Sequence, residues 1–256
     1  ELPGEYSFSI AGQLSWVNLL YEILSEAIVL PLFFFIGKVL TDKKEFANRM
    51  RTGLLVSVGA YMVLSFLVIA LAKPLLSLMA TDTSILDASA TYIRIESVAS
   101  IFSLAFNFVM VGMVTLGKEK YVYALTAVKL VLCVLVDTFM VSTLRGSVNL
   151  GVNGIAFSNI IVNVLLVATA IVLLHKEGIT LFKKEKLSFG WMKEFAKVGG
   201  ISGVESFVRN IAYMLMIARM VNMVGEQGTY WVANNFIWGW LLLPILQLGE
   251  LIKRET

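Results

Sequence analysis

The sequence predicts an all-α, polytopic helical membrane protein, and three observations carry that reading. Hydrophobic residues make up 58% of the 256 residues and charged residues 15%, with a mean hydropathy of +0.81, which is far more apolar surface than a soluble domain of this length can bury. The apolar residues gather in seven stretches, roughly 10–36, 54–72, 92–116, 121–143, 151–174, 198–222 and 229–249. Each is long enough to cross about 30 Å of hydrocarbon as a helix rising about 1.5 Å per residue. Finally, fifteen of the 21 Lys and Arg residues fall in alternate gaps between these stretches.

The gaps orient the chain. The first holds Lys38, Lys43, Lys44, Arg49 and Arg51; the third holds Lys118 and Lys120; the fifth holds Lys176, Lys183, Lys184, Lys186, Lys193 and Lys197; Lys253 and Arg254 follow the last stretch. The intervening gaps carry only Lys73 and Arg145. By the positive-inside rule the basic side is cytoplasmic, residue 1 lies outside, and the expected location is the plasma membrane as a multi-pass protein. An outside start predicts a further span before residue 1. The basic residues sit beside membrane ends, so phospholipid headgroups rather than nucleic acid are their expected partner.

Polar residues within the stretches are spaced as helical stripes. In the first, Asn18, Glu22 and Glu26 recur every four residues with Ser15 just above, and Pro31 interrupts the span. In the third, Glu96, Ser100, Ser103 and Asn107 share a face. The fourth holds Lys129, Cys133 and Asp137, the fifth Asn159 and Asn163, and the sixth Ser202, Glu205 and Arg209. Ionisable groups at membrane depth cost about 2.5 to 3.5 kcal/mol each, so they face a bundle interior or a wet cavity. Glu22, Glu26, Glu205, Arg209, Asn107 and Asn163 are therefore candidate coupling or substrate-binding groups. Plainer readings compete: interhelical hydrogen bonds for the Asn and Ser residues, a water funnel for Glu22 and Glu26, an intrahelical ion pair for Glu205 and Arg209, and solvation at a span end for Asp137.

Other features narrow the class. Cys133 is the single cysteine, which excludes a disulfide framework, and His175, the single histidine, is expected to cap a helix end. With no HExxH and no GxSxG, the chain is not expected to be an enzyme, and no cofactor is expected. Gly199 and Gly203 form a GxxxG face suited to close helix packing. Between His175 and Lys197, apolar residues such as Ile179, Leu181, Phe182, Leu187, Phe189, Trp191 and Phe195 interleave with lysines, predicting either an amphipathic linker along the headgroup layer or an ordinary loop with aromatic anchors. A shift of 222 residues places IAGQLSWVNLLYEIL, from Ile10, over VANNFIWGWLLLPIL, from Val232, with six identities that include Trp16 over Trp238; Pro244, like Pro31, interrupts a span. This repeat divides the chain into most of a first lobe (1–175), a linker (176–197) and the start of a second lobe (198–256).

The run GMVTLGKEKYVYALTAVKLVLCVLVDTFMV followed by LGVNGIAFSNI resembles the multidrug and toxic compound extrusion (MATE) transporters of the MOP superfamily. YIRI at Tyr92–Ile95 and GGISGVES at Gly199–Ser206 are similar to the openings of that family's fourth and seventh spans. The resemblance implies that the chain is an incomplete MATE-like bundle, corresponding to spans two to eight of twelve. It also implies two lobes around a cavity for lipophilic, cationic small organic substrates, exported by antiport against H+ or Na+ as coupling ion. In some relatives a cation site uses an Asp of span one, an Asn and an Asp of span five and a hydroxyl of span six. By that likeness Asp137 and Asn159 form a possible cation (metal) site here, Cys133 stands at the Asn position, and Glu205 matches a second-lobe coupling acid. Two other readings stand beside multidrug efflux: a flippase for a lipid-linked saccharide precursor, and a non-transporting membrane module.

Overall fold

A computed structural model describes residues 7–79, 84–182, 186–221, 224–237 and 241–242. It contains α1 (Ser7–Gly37), α2 (Lys43–Met79), α3 (Leu86–Thr115), α4 (Glu119–Val141), α5 (Val152–Lys176), α6 (Met192–Val221) and α7 (Val224–Phe236), with no strand among the described residues. The first five are long and apolar enough to cross a membrane. α6 is equally long at 30 residues, but Lys193, Lys197, Glu205 and Arg209 dilute its apolar character. Of the last apolar stretch, α7 begins at Val224 rather than 229; Pro244, Lys253 and Arg254 lie outside the described residues.

Local chemistry sets the turns on the basic side. Asp42 caps α2, its Oδ1 accepting the backbone N–H groups of Lys44 (2.9 Å) and Glu45 (3.2 Å). α3 and α5 end alike. Gly117 (φ +69°) lets the Lys118 N–H reach the Met113 carbonyl at 2.9 Å, and Gly178 (φ +87°) lets the Ile179 N–H reach the Leu174 carbonyl at 3.2 Å. Both are Schellman closures, which place a left-handed residue just past the helix and favour glycine there.

α3 is the central element, flanked by α1, α2 and α5, with α4 against α5 and α6 against α1. Buried Phe46, Met50, Phe108, Ile93 and Leu166 form the shared core. Glycine allows two of its tightest crossings: a Cβ at Gly53 would fall 2.7 Å from the Phe108 ring, and one at Gly112 would overlap the Met50 side chain. A polar ladder ties α1, α2 and α3 at mid-depth. Tyr21 Oη and Ser65 Oγ are hydrogen-bonded at 2.9 Å, Ser65 Oγ donates to the Ser97 carbonyl at 2.9 Å, and Tyr61 Oη donates to the Tyr21 carbonyl at 2.9 Å.

The segment between α5 and α6 and the first turn of α6 divide their apolar residues between the protein core and the surface. Ile179, Leu181, Trp191 and Phe195 are buried in the protein core, while Phe182, Leu187 and Phe189 are exposed. Asn48 on α2 holds this segment with a paired amide contact, accepting the Ser188 N–H at 2.9 Å and donating to the Ser188 carbonyl at 3.1 Å. α6 also starts at Met192, inside the stretch read as linker. His175 does not act as the expected cap; its Nδ1 is paired with Thr180 Oγ1 at 3.1 Å.

At the start of this segment Glu177 accepts hydrogen bonds from Lys118 Nζ (2.5 Å) and Tyr121 Oη (3.0 Å). The Lys118 contact first, then that from Tyr121, holds the Glu177 carboxyl below the usual carboxylate range, and the same contact raises the Lys118 ammonium. A depressed acid contributes stability above its unfolded pKa and loses it as pH falls through the folded value; a raised lysine loses its contribution as pH rises through its folded value. Glu177→Gln should therefore flatten the acid limb of melting temperature against pH and leave neutral stability little changed, because the pair is screened by solvent. An acid limb identical to that of the unsubstituted chain would remove Glu177 from this role.

Candidate functional site

Two clusters bring together ionisable and amide side chains from different spans. The first lies among α3, α4 and α5. Glu96 is only 5% exposed, and its Oε1 accepts from Tyr92 Oη at 3.4 Å and from the Asn159 amide across the α3–α5 interface. Asp137, near the end of α4, lies within electrostatic reach of Glu96 and Tyr92. The Ser158 hydroxyl, one residue before Asn159, is directed at Asp137 without closing a standard hydrogen bond, and both Asp137 Oδ1 and Ser158 Oγ are buried without a partner. Asn163 donates to the Asn159 carbonyl at 2.8 Å one turn further along α5, and its buried Oδ1 is also unpartnered.

The helix registers explain the convergence. Tyr92 and Glu96 are four residues apart on the face of α3 turned to α5, and Asn159 and Asn163 are four apart on the answering face. Asp137 and Asn159 thus enter one cluster, but the Asn159 amide is directed to Glu96, and Ser158 is the hydroxyl beside Asp137. Glu96 itself was legible as a stripe member but not as a site residue, because its partner is 63 positions away. The oxygen atoms here suit a proton or a hard monovalent cation. Among the described residues there is no group of three or more His, Cys, Asp or Glu that could hold a metal ion. Cys133, one turn from Asp137, is partly exposed and unpaired with another cysteine.

The second cluster joins α1 to α6. Arg209 Nη2 hydrogen-bonds Glu26 Oε1 and lies 3.8 Å from Glu22 Oε1. This corrects the intrahelical pairing of Arg209 with Glu205: the guanidinium crosses to α1 instead, and Glu205 is exposed with no ion pair to a described residue. Three of the four candidate groups Glu22, Glu26, Glu205 and Arg209 are thereby brought together, and Glu205 is left apart. The Gly199 and Gly203 face does pack closely, both residues lying on Ala27 of α1. Asn107 stands apart from both clusters, on a groove between α1 and α3.

In a comparison with protein families, the MatE family model matches residues 34–135, from the end of α1 through most of α4. Over those residues the chain is similar to the MatE family. MatE proteins are membrane transporters rather than enzymes, and the five long apolar helices of this chain fit a multi-pass membrane protein. No curated protein and no solved structure matches it.

Proposed function

We propose that this chain is part of a MATE-type transporter that serves in cation-coupled antiport of lipophilic, cationic organic compounds out of the cell by alternating access. The observation that carries the reading is the environment of Glu96. Its carboxyl is buried at membrane depth, its hydrogen-bond partners Tyr92 and Asn159 are neutral, and another acid, Asp137, lies within electrostatic reach. A buried carboxyl with an acidic neighbour and no basic partner is stable only with a positive charge upon it. A proton or Na+ supplies that charge, and its arrival and departure then change the electrostatics between α3, α4 and α5. Orientation follows from the basic loops, which face the cytoplasm. The acidic character of both clusters disfavours the flippase reading, whose pyrophosphate substrate would need cationic walls.

The test is efflux from proteoliposomes under an imposed pH or Na+ gradient. Glu96→Gln and Asp137→Asn should each lower gradient-driven flux at least about tenfold, the usual scale for an essential proton- or ion-carrying group, with membrane insertion unchanged. Flux equal to that of the unsubstituted protein in both variants would sink the coupling assignment.

A further inference from the structure

α6 is fastened to α1 at three levels, and the three differ in kind. At one end Gly199 and Gly203 lie on the Ala27 carbonyl and Cβ, with Pro31 beside them, a contact of backbone, methyl group and proline ring that cannot give way. At the other end the buried Trp16 and Leu19 of α1 pack on Tyr213 and Met214 of α6 and Tyr230 of α7, long side chains that can repack. Between these ends stands Arg209, hydrogen-bonded to Glu26 and 3.8 Å from Glu22. Glu22, Glu26 and Arg209 all fall in the middle third of their helices, Ser7–Gly37 and Met192–Val221.

Arg209 also has a partner in waiting on its own helix. Glu205 precedes it by four residues, the spacing and order in which an acid and a base attract along a helix. The Glu205 side chain is exposed and makes no ion pair with a described residue. The guanidinium already leans back over the turn that carries this acid: Nη2 is 3.5 Å from the Oγ of Ser206, the residue next to Glu205, and the Asn210 amide donates to that same oxygen at 3.2 Å. A guanidinium at mid-span needs a carboxylate against it. Parting α6 from α1 therefore does not strand Arg209, because Glu205 can receive it.

We propose that Arg209 is a two-position switch between α1 and α6. Paired with Glu26 and Glu22 it closes the end of the seam near Trp16; paired with Glu205 it lets that end open, with α6 pivoting on the Gly199–Ala27 contact. The two pairings give the seam two discrete arrangements, as a bistable element requires. The part this switch plays in alternating access rests on the transport reading above, but the switch itself is measured without transport.

The measurement is electron paramagnetic resonance of spin-label pairs on the purified protein in lipid nanodiscs, with Cys133 replaced by serine and no ion gradient. Asn18→Cys with Leu215→Cys reports the end near Trp16, and Phe34→Cys with Lys197→Cys the end near Pro31; all four side chains are exposed. Glu22→Gln combined with Glu26→Gln should shift the first pair toward its long distance about threefold, within the range for a partly exposed ion pair. Glu205→Gln should shift it toward the short distance by a similar factor, and in an Arg209→Gln background should have no effect. The second pair should stay fixed throughout. Where the double glutamine variant fails to give monodisperse protein, Arg209→Glu with Glu26→Arg serves instead: it restores the attraction to α1, removes that to Glu205, and should hold the first pair short. A Glu205→Gln protein whose first pair lengthens or does not move overturns the switch, as does a second pair that separates together with the first. Distances that respond as described in a protein that moves no substrate under any gradient sink the transport reading and leave the switch; gradient-driven flux with distances blind to these substitutions does the reverse.

Discussion

Replacing Gly199 by valine is expected to force α6 off α1, at a cost of about 1 to 3 kcal/mol for overpacking. The reason begins with Pro31, which α1 passes through without ending. Proline has no N–H, so the Ala27 carbonyl four residues earlier loses its helical donor. Gly199 sits on that carbonyl: a Cβ there would overlap Ala27 O, with Pro31 Cγ 3.7 Å away. A backbone oxygen cannot swing aside as a side chain can, so the helices themselves must separate. Gly203 meets only the Ala27 Cβ, at 3.1 Å, so Gly203→Ala should be milder. Gly200 has open space, and Gly200→Ala should be neutral or stabilising by up to about 1 kcal/mol, because alanine favours the helix. Thermal unfolding of the three variants in detergent measures the order. A Gly199→Val protein as stable as Gly200→Ala would show that α1 and α6 do not pack here.

The alternation of apolar and basic segments placed α1, α4 and α5 within a few residues of their ends, whereas α2 runs well past both ends of its apolar stretch and α3 begins well before its own. α2 runs from Lys43, well before the apolar stretch at 54, because Asp42 caps a turn made of charged residues. The start of α6 was hidden in the same way by Lys193, Glu194 and Lys197. Stripes at four-residue spacing marked which faces turn inward, but spacing within one helix says nothing of what lies opposite. Asn159 meets Glu96 and Arg209 meets Glu26 across separations of 63 and 183 residues, and these pairings depend on which helices become neighbours. The sharpest case is Arg209. Glu205, four residues away, is the partner that local spacing offers, yet Glu26 and Glu22 supply two carboxylates where Glu205 supplies one.

Trp191→Ala is expected to destabilise the protein by about 3 to 5 kcal/mol, the range for removing a large buried aromatic side chain. Trp191 is 8% exposed and stands among Phe35 and Phe195, with ring centroids 6.0 and 5.1 Å away, and with the Arg49 guanidinium 5.7 Å from its ring. Its Nε1 donates to Thr52 Oγ1 at 3.0 Å, and a Cβ added at Gly53 would lie 3.3 Å from its Cη2. The indole thus plugs a gap on α2 that glycine leaves open, and alanine would leave that gap empty. Two further substitutions divide the effect. Trp191→Phe keeps most of the ring packing and loses the hydrogen bond, so it should cost about 1 to 2 kcal/mol, because the Thr52 hydroxyl retains its own bond to the Asn48 carbonyl at 2.8 Å. Asn48→Leu leaves Trp191 in place but strips both amide contacts from the Ser188 backbone, and should cost about 1 to 3 kcal/mol. Chemical unfolding followed by near-ultraviolet circular dichroism separates the three. Should Trp191→Ala unfold with the midpoint of the unsubstituted protein, the segment between α5 and α6 would be loosely attached. If the expected order holds, that segment is fastened to α2 by aromatic packing first and by the Asn48 clamp second.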